Sequence, residues 1–103
     1  MSFGLSDIDI NTIRDILGKY PSIEKALIFG SRATGKHKKG SDIDIALIGD
    51  GLKDILWRIH DELDEQTGMP YLFDIVDYSI TTPELRSEID SKGKMIFENT
   101  AHV

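Results

Sequence analysis

Cysteine is absent from this chain of 103 residues. A disulfide framework, a zinc–thiolate site and a thiol nucleophile are therefore all excluded. No apolar run approaches the roughly 20 residues that span a bilayer. The first residues, MSFGLSDIDI, also lack the basic and apolar regions of a secretory signal. From these absences we expect a cytoplasmic protein with no membrane segment.

Basic residues are scarce, since 12 Lys and Arg stand against 18 Asp and Glu and the net charge is −6. A general nucleic-acid-binding role is disfavoured, because phosphate neutralisation needs clustered Lys and Arg. The hydrophobic fraction of 40% is enough for one ordinary core. We therefore expect residues 1–103 to form a single domain, too short to include a separate substrate-binding domain.

Helical and strand patterns alternate along the chain. Ser6 is predicted to cap a first helix that ends near Gly18, and Thr81 or Thr82 to cap a short late helix. An apolar stripe from Leu52 to Leu63 predicts the longest helix, ending at Gly68. The predicted strands are Ile23–Phe29, Ile43–Ile48, Tyr71–Tyr78 and an edge strand, Lys94–Phe97. This order predicts an α+β (α/β) fold, a mixed sheet of about four strands flanked by helices.

The pentapeptide SDIDI occurs twice, at Ser6–Ile10 and at Ser41–Ile45. The first copy begins a helix, where its acids complement the positive end of the helix dipole. The second copy enters a buried strand, so Asp42 and Asp44 point to one face of the sheet. Two neighbouring carboxylates repel each other unless a cation lies between them. We therefore interpret only the second copy as a site.

Several chemically active features converge on one end of the predicted sheet. Gly30 and Ser31 follow the first strand. Glycine allows the backbone to approach a ligand closely, and serine offers N–H and hydroxyl donors to phosphate oxygens. Asp74 lies in an apolar strand, where a carboxylate must be paired, protonated or bound to a metal. The loop between the first two strands contains four cations and no acid: Arg32, Lys36, Lys38 and Lys39.

Together these features indicate phosphoryl chemistry with two metal ions. Three carboxylates, two divalent cations and a nucleoside triphosphate leave an excess of negative charge for Arg and Lys to offset. Oxygen ligands of this kind suit Mg²⁺ or Mn²⁺. The alternative is that Asp42 and Asp44 are exposed strand-edge charges and the lysines form a solvated turn. Each feature alone favours that alternative, whereas their combination with Asp74 does not.

The run GSRATGKHKKGSDIDIAL, with ten residues between Gly30-Ser31 and Asp42-Ile43-Asp44, resembles the GSx10DxD signature of polymerase-β-like nucleotidyltransferases. It is similar in particular to the minimal nucleotidyltransferases, or MNT proteins, and the resemblance covers nearly the whole chain. It implies the polymerase-β-like core fold, with a mixed sheet and flanking helices. The implied activity is attack of a hydroxyl on the α-phosphorus of ATP, which transfers AMP and releases pyrophosphate.

The resemblance also implies roles for individual residues. Asp42, Asp44 and Asp74 would be the catalytic residues and the ligands of two Mg²⁺ ions, with Mn²⁺ as an alternative. Asp74 would in addition serve as a base for the attacking hydroxyl. Nucleotide phosphates would be bound by Gly30, Ser31, Arg32 and Lys36, of which the family motif specifies only Gly30 and Ser31.

A partner is implied as well, because MNT proteins are commonly encoded beside a small all-helical HEPN protein and form a complex with it. We therefore expect a hetero-oligomer in which this chain is the antitoxin and adenylylates a HEPN toxin. Two alternatives are a non-catalytic antitoxin that neutralises its partner by binding, and transfer to a small molecule or an RNA end with a partner substrate-binding subunit. Trp57, off the apolar helix stripe, is either an exposed interface anchor or packed under the C-terminal segment.

Overall fold

A computed structural model describes residues 3–38, 40–68 and 70–99. The helices are α1 (Asp7–Leu17), α2 (Ser31–Thr34), α3 (Leu56–Thr67) and α4 (Pro83–Lys92). The strands are β1 (Ile23–Phe29), β2 (Ile43–Gly49), β3 (Phe73–Asp77) and β4 (Lys94–Glu98). Two single turns of 3₁₀ helix, Leu52–Asp54 and Tyr78–Ile80, precede α3 and α4. The predicted order of elements is confirmed, with the addition of α2 and the two 3₁₀ turns.

The four strands form one mixed sheet in the order β3-β2-β1-β4. β1 runs antiparallel to both β2 and β4, whereas β2 and β3 are parallel. The carboxyl end of β1 therefore lies at the same edge of the sheet as the amino ends of the other three strands. This shared edge brings together segments that are far apart in the sequence.

Different helices cover the two faces of the sheet. α1 and α3 cover one face, and the core there includes Ile13, Leu17, Ile28, Ile43, Ile45, Leu47, Ile59, Leu63 and Phe73. α4 covers the other face, where Ile89 packs against Phe29 and Ala46. Because side chains alternate along a strand, Asp44 and Asp74 lie on the face covered by α4. In the part of the chain that the structure describes, every helix is too short or too polar to span a bilayer.

The helix ends follow from local capping chemistry. The Oγ of Ser6 accepts a hydrogen bond of 3.1 Å from the backbone N of Asp9, as its capping role predicts. Thr82, rather than Thr81, caps α4, since its Oγ1 accepts from the backbone N of Leu85 at 3.2 Å. Gly68 ends α3 with a φ of +63°, a conformation that glycine adopts without strain.

Two predicted elements are shorter in the structure. The segment from Leu52 splits into a 3₁₀ turn and α3, which begins only at Leu56. β3 ends at Asp77 rather than Tyr78, because the Asp77 carboxylate accepts hydrogen bonds from the backbone N and the Oγ of Ser79 and turns the chain. Asp77 is buried and lies on the face opposite Asp74.

A polar contact joins α3 to the end of α1. The hydroxyl of Tyr20 donates a hydrogen bond to the Glu62 carboxylate, and Lys19 Nζ donates to the same group at 2.9 Å. These two donors lower the pKa of Glu62 below its usual value. Burial, reinforced by Glu62, raises the pKa of Tyr20 from 10.0 to about 12. Glu62 therefore links α3 to the turn that follows α1.

Candidate active site

The structure brings the three aspartates identified from the sequence to the shared edge of the sheet. Asp42 directly precedes β2, and Asp44 is the second residue of that strand. Asp74 is the second residue of β3 and lies beside Asp44 in the parallel register. Neighbouring strands are about 4.8 Å apart, so these two carboxylates come from adjacent positions on the same face. The segments that carry them are separated by the whole of α3.

Mutual repulsion is strong at Asp44. Burial, followed by the negative charges of Asp74, Asp42 and Glu88 in that order, raises the pKa of this carboxyl from 3.8 to about 6. Arg32 acts in the opposite direction and is the weakest of these influences. A half-buried carboxylate among three other acids is an environment that favours a bound cation.

Glu88 is an acidic neighbour of this cluster that the sequence did not indicate. It lies on α4, the helix that covers the face of the sheet from which the Asp44 side chain projects. In the sequence it is one of several charges on a short polar helix, a pattern typical of a solvated surface. Only the packing of α4 against the sheet places its charge near Asp44.

Gly30 forms a wall of the site with its backbone. Its φ of +74° and ψ of −152° lie in a region that is essentially restricted to glycine. A Cβ at this position would overlap Oδ2 of Asp44. Both the conformation and the close approach therefore require glycine here. The chain then turns directly into Ser31, the first residue of α2.

Arg32 occupies a different place from the phosphate-binding position suggested by the sequence. Its side chain is only 3% exposed. Nη1 donates to the carbonyl of Phe3 and Nη2 to the carbonyl of Ser41, both at 2.8 Å, while Nε lies 3.2 Å from the Ser41 carbonyl and 3.3 Å from the Asp42 carbonyl. The guanidinium also stacks on the ring of Tyr71 at 4.6 Å.

The guanidinium of Arg32 therefore fixes the position of the backbone at Ser41 and Asp42. Because its hydrogen bonds are directed at backbone carbonyls inside the protein, the side chain is not presented to a phosphate. A cation in a glycine-bounded loop resembles a ligand-binding group, but its partners at Phe3 and Tyr71 are distant in the sequence and become visible only in the fold.

The remaining cations of the basic loop lie beyond α2. Lys36 is exposed, and its backbone N donates to the carbonyl of Ser31 at 2.9 Å. The backbone N of Lys38 donates to Oγ of Ser41 at 2.8 Å, which closes the loop just before Asp42. Lys39 lies outside the described residues. Lys36 is thus attached, through a backbone contact, to the segment that begins at Gly30 and Ser31.

The chemistry of the donors fits a hard divalent cation. Carboxylate oxygens are the ligands that Mg²⁺ prefers, and it usually binds one or two of them together with phosphate oxygens. In the described part of the chain, no group of three His, Cys, Asp or Glu side chains is close enough to hold one ion. The adjacent pair Asp44 and Asp74, with Asp42 beside them, nevertheless offers the oxygen donors and the concentrated negative charge that such an ion requires.

Known proteins share both the sequence and the fold. The family model for polymerase beta nucleotidyltransferases matches residues 11–102. A Haemophilus influenzae protein, described as the probable protein adenylyltransferase MntA, is 33% identical over 94 residues, which cover 85% of this chain and 81% of that protein.

Solved structures agree with this relationship. A toxin–antitoxin structure with AMP-PNP superposes with a TM-score of 0.74 at 25% identity, covering 89% of this chain and 75% of that one. A tri-AMPylated Shewanella oneidensis HEPN toxin in complex with its MNT antitoxin gives a TM-score of 0.70 at 22% identity, covering 94% and 76%. The length of the family match and the identity to the Haemophilus protein place this chain in the polymerase-β-like nucleotidyltransferase family.

Proposed function

We propose that this protein transfers AMP from ATP to a hydroxyl group of a HEPN-type partner protein, as the antitoxin of a toxin–antitoxin pair. The observation that carries the proposal is the juxtaposition of Asp44 and Asp74 beside the glycine turn at Gly30. The 33% identity to a probable protein adenylyltransferase supports the choice of reaction. The superposition on a toxin–antitoxin structure with AMP-PNP supports the choice of nucleotide and the toxin–antitoxin pairing.

Asp42, Asp44 and Asp74 would hold two Mg²⁺ ions, or Mn²⁺ in their place. When bound, these ions would neutralise charge on the triphosphate and polarise the attacking hydroxyl. The backbone of Gly30 and the donors of Ser31 would bind the β- and γ-phosphates. Lys36 would offset the remaining negative charge from the exposed loop that follows α2.

The chemical step would be an in-line displacement at the α-phosphorus of ATP. The acceptor oxygen forms a bond to this phosphorus, and the bond to the bridging oxygen of pyrophosphate breaks. The proton of the acceptor hydroxyl passes to the Asp74 carboxylate, which is exposed on the site face of β3. Arg32 contributes indirectly, because its bonds to the carbonyls of Ser41 and Asp42 set the position of the Asp42–Asp44 segment.

The acceptor would be supplied by another chain. Within the described residues, every strand belongs to the one sheet and the three long helices cover its faces, without a separate lobe for a second substrate. A hetero-oligomer with the HEPN-type protein would bring the acceptor hydroxyl to the open side of Asp74. The acidic surface, with a net charge of −6, gives no support for a general nucleic-acid partner.

Labelling with ATP provides the direct test. The protein is incubated with α-³²P-ATP, Mg²⁺ and the HEPN-type protein encoded beside it, and transfer of label to that protein is measured. We expect transfer by the native chain and its loss in the Asp42→Asn/Asp44→Asn double variant. The first SDIDI copy provides a matched control, because Asp7→Asn/Asp9→Asn makes the same change at a helix end on the opposite side of the sheet.

Two results would refute the proposal. The first is the absence of any transfer by the native protein. The second is transfer that is undiminished in the Asp42→Asn/Asp44→Asn variant. Neutralisation of a toxic partner in cells by that inactive variant would identify binding alone as the function.

A further inference from the structure

We propose that the outer edge of β3 is the docking surface for the acceptor protein, which binds there through an extended segment that lies outside its helices and carries apolar and basic side chains. This surface, the β3-edge surface, consists of Leu56, Leu72, Val76, Ile80 and Leu85 with the outer backbone edge of β3. The inference rests on the proposed function, since it identifies where the acceptor approaches the same site.

The first argument is the unpaired edge of the strand. β3 is the terminal strand of the sheet, and within the described residues β2 is its only strand partner. The carbonyl of Leu72 accepts from the backbone N of Ile43 in β2, so by alternation the backbone groups of Phe73 and Ile75 point outward. His60 Nε2 lies 3.0 Å from the Phe73 carbonyl on that side. The backbone groups of Ile75 remain available to an added strand.

The second argument is the apolar groove beside this edge. A groove of about 330 Å³ runs from Leu56 at the start of α3 to Leu85 on α4, and Val76 forms part of its floor. This volume lies at the lower end of the range for binding pockets, roughly 300–1,000 Å³. Ile80 lines the groove and is 66% exposed, while Leu72, at the other end of the strand, is 70% exposed. Ile80 and the apolar groove form one contiguous apolar surface, which is the feature that marks an interaction surface, since an exposed apolar side chain standing alone does not.

The third argument is the alignment of the surface with the site. Leu72, Asp74 and Val76 alternate with inward-facing residues, so they form one row on the same face. Successive members of the row are about 6–7 Å apart. A segment that follows β3 and anchors apolar side chains near Leu72 and Val76 therefore carries its central residue to the Asp74 carboxylate. A hydroxyl at that central position is placed for transfer.

The fourth argument is charge complementarity. Glu84 and Glu88 lie four residues apart on α4, on one side of the helix. Glu88 extends this negative charge to Asp44, so an acidic border runs along the groove to the catalytic carboxylates. The cation of Arg86, on the same helix, turns toward the protein and stacks on the Tyr78 ring at 5.3 Å. A segment with basic residues facing α4 would complement this border.

Binding of the HEPN-type protein encoded beside this chain tests the surface. Ile80→Asp and Leu72→Asp should each weaken its affinity at least roughly tenfold, as expected for exposed anchors at an interface centre. Ile8→Asp is the matched control, since Ile8 is 77% exposed on α1, which covers the opposite face of the sheet. All three positions are exposed, so circular dichroism should show unchanged folding.

Two further measurements separate docking from general effects. Glu84→Lys should weaken binding severalfold, whereas Glu65→Lys, near the distant end of α3, should leave it unchanged. Exchange of the Ile75 backbone amide with solvent should slow in the complex, because an added strand hydrogen-bonds to it. Binding of AMP-PNP should be unaffected by the Ile80→Asp and Leu72→Asp substitutions.

The outcomes distinguish this inference from the proposed function. If the native chain neither binds nor labels the HEPN-type protein, the proposed function is refuted and the docking surface with it. If the native chain labels it and the Ile80→Asp and Leu72→Asp variants do so with unchanged affinity, only the docking surface is refuted. Unchanged exchange of the Ile75 amide in an otherwise normal complex would refute the added-strand geometry.

Discussion

Replacement of Arg32 distinguishes a residue that supports the backbone from one that binds phosphate. Arg32→Ala would remove the bonds to the carbonyls of Phe3 and Ser41 and the stacking on Tyr71. A charged hydrogen bond contributes about 1.5–3 kcal/mol and a buried cation–π contact about 1–2 kcal/mol. Since such contributions overlap, we expect the free energy of unfolding to fall by about 3–5 kcal/mol.

Arg32→Lys keeps the charge and provides a folded variant for the same test. An ammonium group cannot satisfy both carbonyls and stack on the ring, so we expect a loss of about 1–2 kcal/mol. For a domain of this size, each kcal/mol corresponds to a fall of about 4–8 °C in Tm. The expected decrease in Tm is therefore about 5–15 °C for Arg32→Lys without any nucleotide.

Thermal unfolding followed by circular dichroism, with and without AMP-PNP, is the assay. Arg58→Lys is the matched control, because the Arg58 guanidinium lies over the Trp57 ring at 5.5 Å on an exposed part of α3. We expect its Tm to remain within about 2 °C of the native value. The supporting role would be refuted if both Arg32 variants had native stability and had lost only the stabilisation by AMP-PNP.

Three other substitutions probe the site and the core. Gly30→Ala should lower the free energy of unfolding by about 1–3 kcal/mol through strain, and it should abolish AMP transfer by displacing Asp44. Gly35→Ala is the control, because a Cβ at that position meets nothing within 4 Å, and it should retain transfer. Equal activity of the two variants would contradict the close approach of Gly30 to Asp44. Lys36→Ala should raise KM for ATP severalfold at unchanged stability; an unchanged KM would exclude a phosphate contact. Glu62→Gln should lower stability by about 1 kcal/mol at neutral pH. Because the folded-state pKa of Glu62 is depressed, its contribution is present above pH 4.5 and is lost as the pH falls through the folded value. Urea unfolding should therefore show the native and Glu62→Gln proteins converging in acid, and a constant difference would contradict this assignment.

Much of the fold could be predicted because its signals are local. The hydroxyl of Ser6 and the threonine pair before α4 specify helix starts within four residues. The strand that contains Asp44 is apolar on one face over consecutive alternating positions. The spacing between Gly30 and Asp42 identifies a turn and a strand joined by a loop of defined length. Each of these patterns is complete within a short stretch of chain.

The features that could not be predicted depend on distant packing. Arg32 bonds to Phe3, which lies 29 residues away, and nothing around Arg32 in the sequence indicates that partner. Glu88 approaches Asp44 only because α4 covers that face of the sheet. The sequence also left open whether Trp57 is exposed or packed under the C-terminal segment. In the structure it is 61% exposed and lies on the surface. Local patterns specify elements, whereas the charges around the site depend on how those elements meet.

The parallel pairing of β2 with β3 determines where the protein tolerates changes in length. Asp44 and Asp74 are neighbours only in this register, and a shift of β3 by one residue would turn Asp74 to the opposite face. An insertion inside β3 would therefore remove the third carboxylate while leaving much of the core in place. The connection that follows Gly68, of which residues 70–72 are described and lie outside any helix or strand, can absorb additional residues without altering the register. In this family of small proteins, variation in length should collect in that connection, and β3 should remain constant in length.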